Sequence, residues 1–264
     1  MNALFRIYAM LLRYSYVLRR SWPRLLELFY WPTVQMLIWG LISKFMINNS
    51  DFSSLVLAML LGAVLLWDVM FRSHLGVSLV FFEEVYSHNL GHLYISPLRP
   101  LEHIISLLLI SFIRTIIGVS IAAPLAYLIY DFNLASVGLS LVGFYLNLSM
   151  MGWALGLVVV SLVMRYGLGA ESLAWILVFA LAPLSAIYYP VSTLPEYLHS
   201  IAYMLPATHV FEGLRHSLEY NTIAFSNMLK AAGLNMLYLS LAIWFYLYTY
   251  GIVRKQGLLL QSGE

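Results

Sequence analysis

The stretch FNLASVGLSLVGFYLNLSMMGWALGLVVVSLVM, residues 132–164, contains no charged residue over 33 positions. About 20 apolar residues in a helix are enough to cross the hydrocarbon core of a bilayer, which is about 30 Å thick. The whole chain has the same character, since 62% of its 264 residues are apolar and only 10% are charged. The composition therefore predicts an all-α integral membrane protein. It excludes disordered chains and nucleic-acid binders, and the lack of cysteine excludes disulfide scaffolds.

Charge-poor stretches predict six transmembrane helices in one domain, residues 1–264, because we find no internal repeat and no flexible linker. The predicted spans cover 28–47, 52–82, 103–130, 132–164, 172–194 and 231–253. Nine Lys and Arg residues fall at one set of span ends and three at the other. The excess of positive charge marks the cytoplasmic side, so both termini are predicted to be cytoplasmic. Gly152 and Gly156 form a close-packing face, within or between subunits.

The first 24 residues predict an amphipathic helix that lies in the membrane interface. Arg6, Arg13 and Arg20 recur every seven residues on one face. Apolar side chains, among them Leu4 and Tyr8, follow helical spacing on another face. Two interpretations remain open. The helix is either a lipid-surface anchor alone, or it also contacts a cytoplasmic partner.

The link between the second and third spans, EEVYSHNLGHLYISPLRPLEH at residues 83–103, is predicted to lie in the cytoplasm. It predicts a short helix from Glu84 to Ile95 that Pro97 ends, within a segment 84–97 that could transmit force from a partner. The alternative is an ordinary capped loop. His88 and His92 are four residues apart, but no third ligand beyond Glu84 is evident, so we predict no metal site. The candidate coupling residues are Glu83, Glu84, His88, Leu90, Leu93 and Pro97.

A second irregular segment, residues 188–218, lies on the outer side between the fifth and sixth predicted spans. Pro190, Pro195 and Pro206 divide it into pieces of about ten residues, which are too short to span. We predict a re-entrant helical hairpin that caps a pathway from outside. Its histidines, His209 among them, are expected to serve as hydrogen-bonding groups rather than metal ligands.

Three charges fall well inside the predicted spans, away from their ends: Asp68, Arg72 and Arg114. A lone charge at the bilayer centre costs at least about 2.5–3.5 kcal/mol, so pairing is expected. Asp68 and Arg72 are four residues apart and share a helical face. We predict a cluster in which Asp68 pairs with Arg72, Arg114 or both. Its role is left open between an interhelical clamp, a contact with substrate or lipid phosphate, and a proton relay.

The two irregular segments resemble those of the membrane (permease) subunit of type-2 ATP-binding-cassette (ABC) exporters. The outer segment carries the stronger resemblance, and the cytoplasmic segment is similar to the family's coupling helix. Where the family usually has Gly-Thr-Leu-Glu, this chain has the run 88–91, His-Asn-Leu-Gly. The matching outer residues are Tyr189, Pro190, Leu194, Pro195, Leu198, Ile201, Pro206, His209 and Arg215, and the matching cytoplasmic residues are Glu84, Leu90, Leu93, Ser96, Pro97 and Leu98.

The resemblance implies a dimer of permease subunits in the bacterial cytoplasmic (inner) membrane, surrounded by lipid and docked on a cytoplasmic ABC ATPase. A homodimer is the expected form, and a paralogue as the second subunit is the alternative. Substrates of such exporters are amphiphilic, lipid-linked, glycan or drug-like molecules. The sequence contains no G-x-x-x-x-G-K-[ST] motif, so we expect ATP and Mg to bind on the ATPase. We expect this chain to bind no cofactor and to be no enzyme by itself.

Two other functional classes are alternatives to the exporter. A proton-coupled secondary transporter using Asp68 would be expected to show an inverted repeat, which we do not find. A membrane-embedded enzyme would need a nucleophile or metal motif, and neither G-x-S-x-G nor H-E-x-x-H occurs in the sequence.

Overall fold

A computed structural model describes residues 2–49, 54–130 and 138–257. Within these ranges all regular secondary structure is helical, in agreement with the predicted all-α fold. The described α-helices are α1 (Ala3–Arg20), α2 (Trp22–Asn49), α3 (Ser54–Tyr86), α4 (Leu90–Ile95), α5 (Pro100–Tyr130), α6 (Ser140–Tyr166), α7 (Leu173–Leu181), α8 (Glu196–Tyr203), α9 (Pro206–Tyr220) and α10 (Phe225–Gln256).

Five helical segments of the described chain are long and apolar enough to cross a membrane. They are Ala58–Tyr86, Pro100–Tyr130, Ser140–Tyr166, Leu168–Ser185 and Phe225–Gln256. The first predicted span corresponds to α2, which is not one of the five. Its 28 residues reach about 42 Å at the usual helical rise, which is long enough to cross. The total of six spans therefore stays a prediction.

The fifth predicted span, 172–194, is too long at its C-terminal end. The α-helix ends at Leu181, and a 3₁₀ turn follows at Pro183–Ser185. Ala186 then adopts a left-handed conformation, with φ of 52°, and ends the helical segment. The absence of charge predicted a longer helix because apolar residues alone do not show where the backbone turns.

The core of the bundle is the contact between α3 and α6, and glycine makes it close. A Cβ atom on Gly152 would lie 2.6 Å from the carbonyl oxygen of Met70, and one on Gly156 would lie 2.7 Å from Cβ of Val77. Neither position has room for a side chain. The predicted glycine face therefore serves packing within the subunit.

Helix α5 packs on another side of α3 through small polar side chains. Ser111 donates a hydrogen bond to the carbonyl of Ser73 at 2.7 Å. Trp153 of α6 donates its indole N–H to the Ser111 hydroxyl at 3.2 Å. Gly76 of α3 lies so close to Ser111 that a Cβ there would be 2.8 Å from its hydroxyl. These contacts hold the middle of α3 against α5, where the buried charges lie.

Candidate coupling site and buried charge cluster

The cytoplasmic link is built from two helices rather than one. Helix α3 continues to Tyr86, and His88 adopts a left-handed conformation with φ of 52° before α4 begins. The predicted continuous helix from Glu84 to Ile95 is therefore wrong, and Glu84 lies in the last turn of α3. A left-handed histidine is uncommon, so the sequence carried little signal for this turn. The turn places α4 as a separate six-residue helix.

The predicted coupling residues divide into buried and exposed groups. Leu93 and Glu84 are buried, whereas His88 and Pro97 are exposed. Leu90 and Glu83 are half-buried. Ile95, which is not among the predicted coupling residues, is 81% exposed at the end of α4. The helix thus anchors itself through Leu93 and presents an apolar side chain outward.

The turn also separates the two histidines of the link. His88 lies in the turn and His92 lies within α4, so they do not share one helical face. No group of three or more possible metal ligands is found in the part of the chain that the structure describes. The absence of a metal site stays a prediction.

Two ion pairs join α1 to both flanks of α4. Arg13 donates to the Glu84 carboxylate at 2.6 Å, and Asn89 donates to the same oxygen at 2.8 Å. Arg6 makes a two-point contact with Glu102 at 2.7 and 2.5 Å. Two-point guanidinium–carboxylate contacts fix orientation as well as distance. Helix α1 therefore holds the segment before α4 and the segment after it.

The arginine face of α1 is turned toward the protein, and part of its apolar face is turned outward. Arg6 and Arg13 turn toward the protein, whereas Leu4 and Tyr8 are 80% and 57% exposed. The arginine spacing was correctly recognised, but its carboxylate partners were missed. The only available signal was the pair of acidic residues, Glu84 and Glu102, on either side of the predicted coupling segment.

A buried polar contact lies beneath α4. The ring of His103 is hydrogen-bonded to the Tyr246 hydroxyl at 2.8 Å and to the Tyr14 hydroxyl at 3.2 Å, which joins α5, α10 and α1. Tyr94 of α4 lies edge-on to the same imidazole, with ring centroids 6.2 Å apart. Burial raises the pKa of Tyr14 well above its ordinary value and also raises the pKa of Tyr94. Both phenols are therefore neutral, and α4 packs on a buried polar layer.

The outer segment is divided as the prolines predict. Pro190 precedes a 3₁₀ turn, Pro195 precedes α8, and Pro206 is the first residue of α9. Helices α8 and α9 have 8 and 15 residues. His209 is hydrogen-bonded to the carbonyl of Tyr203 at 2.9 Å. Whether the hairpin re-enters the membrane stays a prediction.

Arg215 is the central contact of the outer segment. It donates to the carbonyls of Ala186 at 2.5 Å, Tyr189 at 3.0 Å and Ile187 at 3.3 Å. It also contacts Glu212 at 3.2 Å. The left-handed turn at Ala186 leaves these carbonyls without helical partners, and one guanidinium satisfies all three. The arginine is a structural group here.

The buried charges form a pair within one helix. Arg72 donates through Nε to Asp68 at 2.5 Å, and both side chains are buried. The predicted pairing of Asp68 with Arg72 is observed, and this ion pair lies within α3. Arg72 reaches α5, where a Cβ on Gly118 would lie 2.8 Å from its Nε. Buried Arg114 lies one turn before Gly118.

A cavity between α2, α3 and α5 is lined by Trp31, Phe71, Arg72, Leu75, Gly76, Leu79 and Arg114.

The comparison with known families gives one result. The model of the family described as ABC-2 type transporter matches residues 9–218. The matched range contains the coupling segment, the buried charges and the outer segment. No curated protein matches the chain.

Proposed function

The chain belongs to the ABC-2 type transporter family and is a transmembrane subunit of an ABC transporter, and from this premise we propose that it is the permease of an exporter. Its partner is an ABC ATPase subunit. We further propose that two copies form a homodimer in the bacterial cytoplasmic membrane, with both termini in the cytoplasm. ATP and Mg bind on the ATPase, and this chain carries out no catalysis of its own.

One observation carries the proposed coupling role of α4. Ile95 is 81% exposed on a segment whose charge distribution predicts the cytoplasmic side. A single exposed apolar residue is ordinary on a protein surface. This one, however, is held on a short helix anchored by Leu93 and flanked by the two α1 ion pairs. A helix held in this way can transmit a movement of a docked partner to α3 and α5.

The same contacts suggest how motion spreads through the permease. Helix α3 ends four residues before α4 begins, and α5 begins five residues after α4 ends. Movement of α4 therefore acts on two membrane-crossing helices at once, while α1 follows through Arg6 and Arg13. ATP-driven closure of the ATPase pair would rock these helices and open a path outward.

Co-purification of the ATPase tests the coupling role. Ile95→Asp should abolish co-purification in mild detergent without lowering the thermal stability of the permease. Ile223→Asp is the matched control, because Ile223 is 55% exposed but lies between α9 and α10, at the predicted outer side. Equal retention of the ATPase by both variants would show that α4 is not the docking site.

The direction of transport needs a separate measurement. Inside-out vesicles that contain the permease and ATPase should accumulate an amphiphilic cargo only when ATP is supplied. Uptake that follows a proton gradient without ATP would instead support the proton-coupled alternative. Family membership favours ATP as the energy source.

A further inference from the structure

We propose that the cavity between α2, α3 and α5 binds the phosphate head group of an amphiphile, with Arg72 and Arg114 as the anion-binding side chains. The inference rests on the proposed function, since it names a substrate class for the exporter. The cavity measures about 40 Å³ and is larger than the space that one water molecule requires. Two of its seven lining residues are arginines.

The two arginines lie at the centres of their helices. Arg72 is fourteen residues from either end of the span Ala58–Tyr86, and Arg114 is fourteen residues from the start of Pro100–Tyr130. Each is thus about 21 Å from the nearer end. The middle of α3 and α5 holds these two guanidinium groups and one carboxylate, Asp68. Charged residues at this depth are costly and are typically functional.

Arg72 has donors that the ion pair does not use. Its contact with Asp68 is made through Nε. No acceptor among the described residues bonds to its two terminal nitrogens, although the side chain is only 9% exposed. Gly118 of α5 leaves room for this side chain, since a Cβ there would lie 2.9 Å from its Nη1. A packed guanidinium with free terminal N–H groups matches the geometry of phosphate oxygens.

The remaining walls indicate an amphiphile rather than a soluble anion. Trp31, Phe71, Leu75 and Leu79 are apolar, and Trp31 is 43% exposed on the surface of α2. A small hydrated anion would lose its water to reach this depth. An anion attached to a hydrocarbon chain can keep that chain in the bilayer while the head group contacts the arginines.

Fluorescence quenching of Trp31 tests the site directly. The permease is placed in phosphatidylcholine nanodiscs, and phosphatidic acid with brominated acyl chains is added as the probe. The signal of Trp31 is isolated by subtracting that of a Trp31→Phe variant, since the chain has seven tryptophans. Arg72→Gln and Arg114→Gln should each weaken binding about tenfold or more, as expected for loss of a charge-assisted hydrogen bond.

Matched variants separate binding from misfolding. Arg254→Gln removes an exposed arginine at the end of α10 and should leave binding unchanged. Arg72→Lys keeps the charge and should weaken binding less than Arg72→Gln does. Variants are compared only if they elute as the wild-type species in size-exclusion chromatography.

Three results would overturn the proposal. Brominated diacylglycerol, which lacks phosphate, could quench as strongly as phosphatidic acid. Arg72→Gln could bind as tightly as Arg254→Gln. Inorganic phosphate could displace the lipid at equal concentration, which would identify the free anion as the ligand. Because binding is measured without ATP or ATPase, failure here leaves the exporter proposal intact. Failure of the Ile95→Asp experiment likewise leaves this site intact.

Discussion

The two ends of the molecule use arginine in different ways. At the predicted outer end, Arg215 donates to three main-chain carbonyls around the turn at Ala186. At the predicted cytoplasmic end, Arg6 and Arg13 of α1 pair with carboxylates on other helices. Carbonyls of a turn have no substitute donor when the arginine is removed, whereas side-chain pairs can separate while each helix stays folded. The contacts of Arg215 therefore form a fixed cap. The ion pairs of Arg6 and Arg13 form an adjustable tie between α1 and the helices on either side of α4.

The largest effect is expected at the cap. Arg215→Gln should destabilise the protein by roughly 2–4 kcal/mol, because several buried carbonyls lose a charged donor. Thermal unfolding followed by tryptophan fluorescence in detergent measures this loss. Arg254→Gln, at an exposed position, is the control. Equal unfolding midpoints for the two variants would remove the distinction between the ends.

The next largest loss of stability is expected at the glycine contact between α3 and α6. Gly152→Ala should cost about 1–3 kcal/mol, since the added Cβ meets the Met70 carbonyl and α6 must move away from α3. Gly251→Ala in α10 is the matched control, because a Cβ there meets nothing within 4 Å. Alanine has a higher helix propensity than glycine, so Gly251→Ala should leave stability unchanged or slightly raised. Equal unfolding midpoints for Gly152→Ala and Gly251→Ala would show that the close α3–α6 contact does not stabilise the helices at the two ends of the molecule.

A functional effect with little loss of stability is expected at the tie. Arg13→Gln and Glu84→Gln should each lower ATP-dependent transport several-fold, because α4 loses its link to α1. The double variant should be no worse than either single one if the two residues act as a pair. Transport by reconstituted vesicles measures this. Strictly additive losses would show that the two residues act separately.

The smallest effect is expected at Arg20. It continues the seven-residue spacing of Arg6 and Arg13 but is exposed at the end of α1. Arg20→Gln should change transport less than twofold, with a modest loss of affinity for anionic lipid vesicles. A loss as large as that of Arg13→Gln would mean that the whole arginine face, rather than its two inward members, forms the tie.

The sequence predicted the parts of the site that depend on local chemistry. Pro190, Pro195 and Pro206 divided the outer segment correctly, since proline cannot continue a helix through its missing N–H. The pairing of Asp68 with Arg72 followed from their separation by one helical turn. The turn at His88 was missed because a left-handed histidine has no strong local signature. The third span charge, Arg114, lines one cavity with Arg72 and Trp31, and the sequence could not predict that cavity because it depends on how α2 packs.

The sequence by itself determined the membrane class, the helical composition and the breaks between helices, because these depend on hydropathy and on residues that are close along the chain. Only the tertiary structure decided what each helix face meets. Arg13 and Glu84 are 71 residues apart, and Arg6 and Glu102 are 96 apart. Periodicity shows that a helix has an arginine face. The local sequence is the same whether that face contacts water, lipid head groups or carboxylates. Packing of α1 against α5 made that choice.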